Sequence, residues 1–142
     1  MGNLTIEQEL ERQEYILLQT KGISMEPLLH NCKSTVVIKS VPERLRKYDV
    51  VLFRRTTGEY VLHRVLKVRD KDYLICGDNG LYKESVKREQ IIGIMTGFYP
   101  DESERYISCA DRTYRRYLRT LGVRYGICRI KNLLRRITLT IR

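Results

Sequence analysis

Between residues 35 and 98 the chain passes through five short runs rich in Val, Ile and Tyr, at 35–39, 49–54, 60–68, 73–76 and 91–98. Turn-forming pieces such as Thr56-Thr57-Gly58 and Asp70-Lys71-Asp72 separate them. β-branched and aromatic residues fit a pleated, half-buried surface, and short strands at this spacing predict a mainly β, barrel-like body. Residues 15–19 add a strand leading into a turn at Gly22, and residues 105–108 add one more. Ahead of them, residues 5–13 read as a short helix with Thr5 as its cap and Gln8 three residues on. Pro27 suits the first turn of a second helix over Glu26-Pro27-Leu28-Leu29, because that position needs no amide donor.

The pattern changes after residue 111, from alternation to helical period. Tyr114, Tyr117, Leu118 and Leu121 fall at i, i+3, i+4 and i+7, and Gly122 is expected to break the run. Val123, Ile127, Ile130, Leu134, Ile137 and Ile141 then share a stripe roughly 80° wide, opposite Arg124, Lys131, Arg135, Arg136 and Arg142. The predicted division is a β body over 1–111 and an amphipathic two-helix tail over 112–142. Charge divides at the same place. Residues 112–142 hold nine Arg and one Lys with no Asp or Glu, whereas 17 Lys and Arg balance 17 Asp and Glu in residues 1–111. The tail therefore carries the whole net charge of +10.

At 142 residues the chain is expected to form one domain with a real core. No run of some 18 apolar residues is long enough to cross a bilayer, and the acidic N-terminus lacks the apolar centre of a secretory signal. The expected location is cytoplasmic, where Cys32, Cys76, Cys109 and Cys128 are reduced thiols. Their spacing matches no zinc site, and no metal or cofactor is expected.

Two residue types carry candidate chemistry. Ser24, in Ser24-Met25-Glu26-Pro27, is either a helix cap or a nucleophile, and a serine nucleophile needs a neighbouring base. His63 lies in an apolar strand whose alternation puts Val61, His63, Val65 and Lys67 on one face. A histidine among valines needs a polar partner, and its ordinary pKa near 6.5 leaves it mostly neutral at pH 7, as a general base must be. Lys67 is the rival base. His30 reads as a surface residue.

Ser24-Met25-Glu26-Pro27, then Lys47-Tyr48-Asp49-Val50-Val51, Leu62-His63-Arg64-Val65 and Cys76-Gly77-Asp78-Asn79 occur in that order. Over roughly residues 15–99 this resembles the signal-peptidase/LexA-like serine peptidases, in the branch whose base is His (endoplasmic-reticulum and archaeal type). The resemblance implies that family's β-barrel fold, Ser24 as nucleophile and His63 as base. Asp78 matches the family's Gly-Asp aspartate. Glu84 stands six residues further on, where His-type relatives use a second acid, usually Asp. Either Glu84 orients His63 while Asp78 braces the site, or Asp78 acts alone. Gly22 replaces the serine that many signal peptidases place two residues before the nucleophile, which leaves backbone amides, such as that of Ser24, to meet an oxyanion.

The implied activity is a serine endopeptidase acting on a peptide or protein precursor, with extended substrates carrying small residues before the cut. Two alternatives stand beside it. One is a catalytically weak, peptidase-like peptide-binding module. The other is a self-cleaving LexA-like regulator, although no helix-turn-helix domain and no Ala-Gly-type cleavage loop precede Ser24. The tail has three readings: packing on the body, contact with an anionic membrane at its inner face, or nucleic-acid binding. Confinement of its apolar and aromatic residues to a stripe favours membrane or protein over nucleic acid.

Overall fold

The computed structural model describes residues 2–80 and 82–140, the last three of these by backbone alone. Helix α1 (Ile6–Arg12) starts at Thr5, whose hydroxyl accepts from the Gln8 amide while the Gln8 side chain accepts from the Thr5 amide. Eight strands follow: β1 (Tyr15–Gln19), β2 (Thr35–Ser40), β3 (Val50–Arg54), β4 (Tyr60–Val68), β5 (Tyr73–Cys76), β6 (Lys83–Val86), β7 (Ile91–Tyr99) and β8 (Ile107–Ser108). They form one antiparallel sheet in the order β1-β2-β7-β3-β4-β5-β6. β8 extends β7 at Gly97 and Phe98, beyond the stretch of β7 that pairs with β3.

The sheet is not closed, which corrects the expected barrel. β1 and β6 end the sheet and do not pair with each other. Alternation fixes which residues face inward, but closure depends on strand tilt and register. Register shifts at Val37/Ile38, Leu52/Phe53 and Val65/Lys67 bend the sheet around two apolar clusters instead. One gathers Leu10, Met25, Leu29, Ile38, Leu52, Phe98 and Tyr114, and the other Val51, Phe53, Val65, Ile75, Val86 and Ile91. β6 escaped the sequence reading because three of its four residues, Lys83, Glu84 and Ser85, are polar and only Val86 is buried.

The expected helix at Glu26 does not form either. Residues 20–34 make a closed loop, with Thr20 N–H on Ser34 O (3.0 Å) and Cys32 N–H on Thr20 O (2.9 Å). Where the helix was expected the loop makes a lone α-turn, Leu29 N–H to Met25 O at 2.9 Å, which drops Met25 and Leu29 into the core; a second, Ser34 N–H to His30 O at 3.1 Å, follows at the loop's end.

The tail is a single helix, α2 (Arg112–Thr140), and not the expected pair; Ile141 and Arg142 lie outside the described residues. Gly122 costs a helix about 1 kcal/mol. Packing on both sides outweighs it, because Tyr114 and Leu121 are buried before it and Tyr125 and Cys128 reach the body after it.

What holds α2 to the sheet is a buried ion pair. Arg64 on β4 is wholly buried and clasps Asp78, itself 2 % exposed, through Nε–Oδ1 (2.7 Å) and Nη2–Oδ2 (2.9 Å). Arg64 Nη1 donates to the Tyr48 carbonyl and the Tyr114 hydroxyl, both at 2.8 Å. Tyr117 donates to Asp78 Oδ2 at 2.7 Å, and the Tyr125 hydroxyl lies 3.5 Å from Oδ1. Removing one partner of such a pair strands a buried charge. Arg64→Met is therefore expected to cost about 3–5 kcal/mol in urea unfolding. Gly122→Ala should add about 0.5–1 kcal/mol in the same titration, since its new methyl meets open space; a loss of stability there would contradict a continuous helix.

Candidate active site

A cleft of about 710 Å³ opens between the end of β1 and the first half of β4, with Leu18, Ser24, Met25, Leu62, His63 and Tyr82 among its walls. Ser24 stands in the loop between β1 and β2, half-buried, and Met25 behind it belongs to the core. The loop after β5 fixes Ser24 from below. Asn79 donates its backbone amide to Ser24 O (3.1 Å) and its side-chain amide to Ile23 O (3.2 Å). A Cβ at Gly77 would collide with that same Ser24 carbonyl oxygen, so only glycine lets the two backbones lie together.

Gly22 serves a different end. Its φ is +86°, open space surrounds the position a Cβ would take, and its amide donates to Asn31 Oδ1 at 2.8 Å. The requirement there is the left-handed backbone. The Glu26 amide is committed to Ile23 O (3.1 Å). Among the described residues the Ser24 amide makes no backbone hydrogen bond.

His63 is 7 % exposed on β4, with its ring 6.0 Å from that of Phe53. Nδ1 points to Glu84 on β6, and Nδ1 to Oε1 is 3.4 Å. The approach is too oblique for a hydrogen bond, so Nδ1 is buried without one. Glu84 is taken by Arg55 instead, through Nη2–Oε1 (2.9 Å) and Nε–Oε2 (3.2 Å); Arg55 also pairs with Glu59 at 2.8 Å. Burial lowers the His63 pKa below its ordinary value; the Glu84 charge opposes this and the Arg55 charge adds to it. The imidazole is thus held neutral. Ser24 and His63 both line the cleft, and among the described residues no hydrogen bond joins them.

Asp78 does not stand beside the His63 ring. It is committed to Arg64 and the α2 tyrosines, and reaches His63 only as a weak favourable charge. Burial and the Asp78 charge together raise the pKa of Tyr117 and of Tyr125, which keeps both as hydroxyl donors. Lys67 is exposed and outside the cleft, because the register shift after Val65 takes it off the His63 face. His30 is exposed.

Sequence reasoning missed Arg55, Arg64, Tyr117 and Tyr125. For Arg64 a signal existed: an arginine between His63 and Val65 in a strand buried on both faces must have an internal acid. For Arg55 and the tyrosines, partnership depends on chain segments far apart in sequence. Cys76 and Cys109 have thiol pKa values pushed up to about 11 by burial, which makes poor nucleophiles of them. Among the described residues no three His, Cys, Asp or Glu side chains gather as metal ligands, and no helix is long and apolar enough to cross a membrane.

No family model, curated protein or solved structure matches this chain.

The packing of Gly77 on Ser24 makes a direct test of how the site is held. Gly77→Ala is expected to cost about 1–3 kcal/mol in urea unfolding, because one of the two loops must move. Gly2→Ala, with open space around it, is the matched control and should be near neutral.

Proposed function

We propose that this chain is a serine endopeptidase of the signal-peptidase/LexA-like type, with Ser24 as nucleophile, His63 as base and Glu84 as the acid behind it. The observation that carries this reading is that Ser24 and a neutral, buried His63 open into one cleft from two different elements. The ordered motifs of the sequence support the same assignment.

In the proposed reaction, substrate binding brings Ser24 Oγ within reach of His63 Nε2, a contact that unliganded sites often leave open. His63 takes the hydroxyl proton as Oγ attacks the peptide carbonyl carbon, and the π electrons move onto oxygen. The Ser24 amide donates to that oxyanion. Collapse expels the amine, which receives the proton from His63, and leaves an ester on Ser24. Water, deprotonated by His63, then adds to the ester carbon; the C–Oγ bond breaks, Ser24 Oγ takes the proton back from His63, and the acid product leaves. Glu84 stabilises the imidazolium, and Arg55 fixes Glu84. Asp78 braces the site through Arg64. An extended substrate fits beside β1, which among the described residues pairs with β2 alone and leaves its other edge available for strand addition.

A peptide-binding module is the second reading, favoured by the oblique His63–Glu84 contact. Comparing new protein N-termini in cells making the wild type or Ser24→Ala separates the two. Termini that depend on Ser24 are expected. Their absence, with both proteins folded, would refute the peptidase and favour the module.

Protonated His63 cannot act as a base, so turnover should fall as pH drops through its lowered folded-state pKa, placing the acid limb below 6.5. His63→Ala should lower kcat by roughly 10²–10⁴-fold. Glu84→Gln should lower it by roughly 10- to 100-fold, less than the ~10⁴ of a tightly bonded triad acid. An unchanged rate in Glu84→Gln would remove Glu84 from the mechanism.

A further inference from the structure

The single helix α2 has two opposite faces, and only one meets the body. At 100° per residue, Tyr114, Leu121, Tyr125 and Cys128 lie on one line, which packs against the sheet and the loop after β5. The opposite line runs Arg112, Arg116, Arg119, Val123, Ile127, Ile130 and Ile137 at steps of three, four or seven. It is basic in the first half of the helix and apolar in the second. Val123 is 66 % exposed and Ile130 60 %, with Ile127 and Ile137 close to half exposed. Arg129, Lys131 and Arg135 flank this apolar line, and all three are exposed. Had the helix broken at Gly122, the second stripe could have folded back onto the body. Because it does not break, the stripe faces away.

An exposed apolar stripe between cations is the pattern of a helix lying in a membrane interface. The charge selects among possible occupants. Residues 112–142 hold ten cations and no acidic group. A second copy of α2 laid on this line would bring like charges together with no acid to offset them. Nucleic acid would engage the cations and leave at least four large aliphatic side chains in water, with no aromatic residue on the line to stack on a base. A lipid surface with anionic headgroups satisfies both components. We propose that the outer face of α2 docks on an anionic bilayer, with Val123, Ile127, Ile130 and Ile137 entering the acyl boundary and Arg112, Arg116 and Arg119 on the headgroup phosphates. The proposal is independent of the chemistry at Ser24.

The full chain is mixed with vesicles of phosphatidylcholine alone or of phosphatidylcholine with phosphatidylglycerol, and sedimented. Binding is expected only with phosphatidylglycerol and should weaken in high salt. The double variant Ile127→Asp/Ile130→Asp should weaken it by at least roughly tenfold. Both side chains are exposed, so its circular dichroism and urea midpoint should match the wild type; Arg129→Gln/Lys131→Gln, which changes charge alone, gives a second route to the same loss. Equal binding to both vesicle types, or retention by the aspartate variant, would overturn the proposal. So would a dimer that the aspartate variant dissolves, or salt-sensitive binding to a duplex DNA probe in a protein that ignores vesicles.

Discussion

Burying Arg64 against Asp78 is the constraint on which the rest of this structure depends. Taking both charges out of water costs several kcal/mol per ion, and only a nearly complete set of hydrogen bonds offsets that. Arg64 finds Asp78 twice, the Tyr48 carbonyl and the Tyr114 hydroxyl; Asp78 finds Arg64 and Tyr117. These partners come from four places: the approach to β3, β4, the loop after β5, and α2. The set is complete only when all four have assembled, which ties the C-terminal helix to the sheet.

The same pair explains why the sequence motifs occur together. His63 is covalently next to Arg64, Arg64 is bonded to Asp78, Asp78 precedes Asn79, and Asn79 holds the carbonyl of Ser24. A short path of peptide bonds and buried polar contacts therefore runs from the candidate base to the candidate nucleophile. Gly77 lies beside that path and lets the loop approach Ser24. The aspartate supports the site without standing in it.

Around His63 the balance of charges is narrow. Burial disfavours the imidazolium, Glu84 favours it, and Arg55 competes for the same carboxylate. A rotation of Glu84 from Arg55 toward Nδ1 would turn an oblique contact into a hydrogen bond and raise the basicity of the imidazole. β6 presents Glu84 from a short edge strand.

The sequence by itself determined the local elements and the candidate chemistry. The capped helix at Thr5, strands β1, β4 and β5 to the residue, and the helical period after residue 111 all follow from patterns a few residues long. His63 stood out because a histidine among valines needs a polar partner, and Ser24 because it opens a set of motifs that occur together in the order of a peptidase family. Tertiary structure alone decided what depends on distant partners. It left the sheet open, because closure is a matter of register and bend across all the strands. It kept α2 whole through Gly122, because Leu121 and Tyr125 gain more from the body than glycine loses. It gave Asp78 to Arg64 and set Glu84 near His63, since the charge that neutralises a buried group is chosen by proximity in space, and spacing along the chain does not encode it.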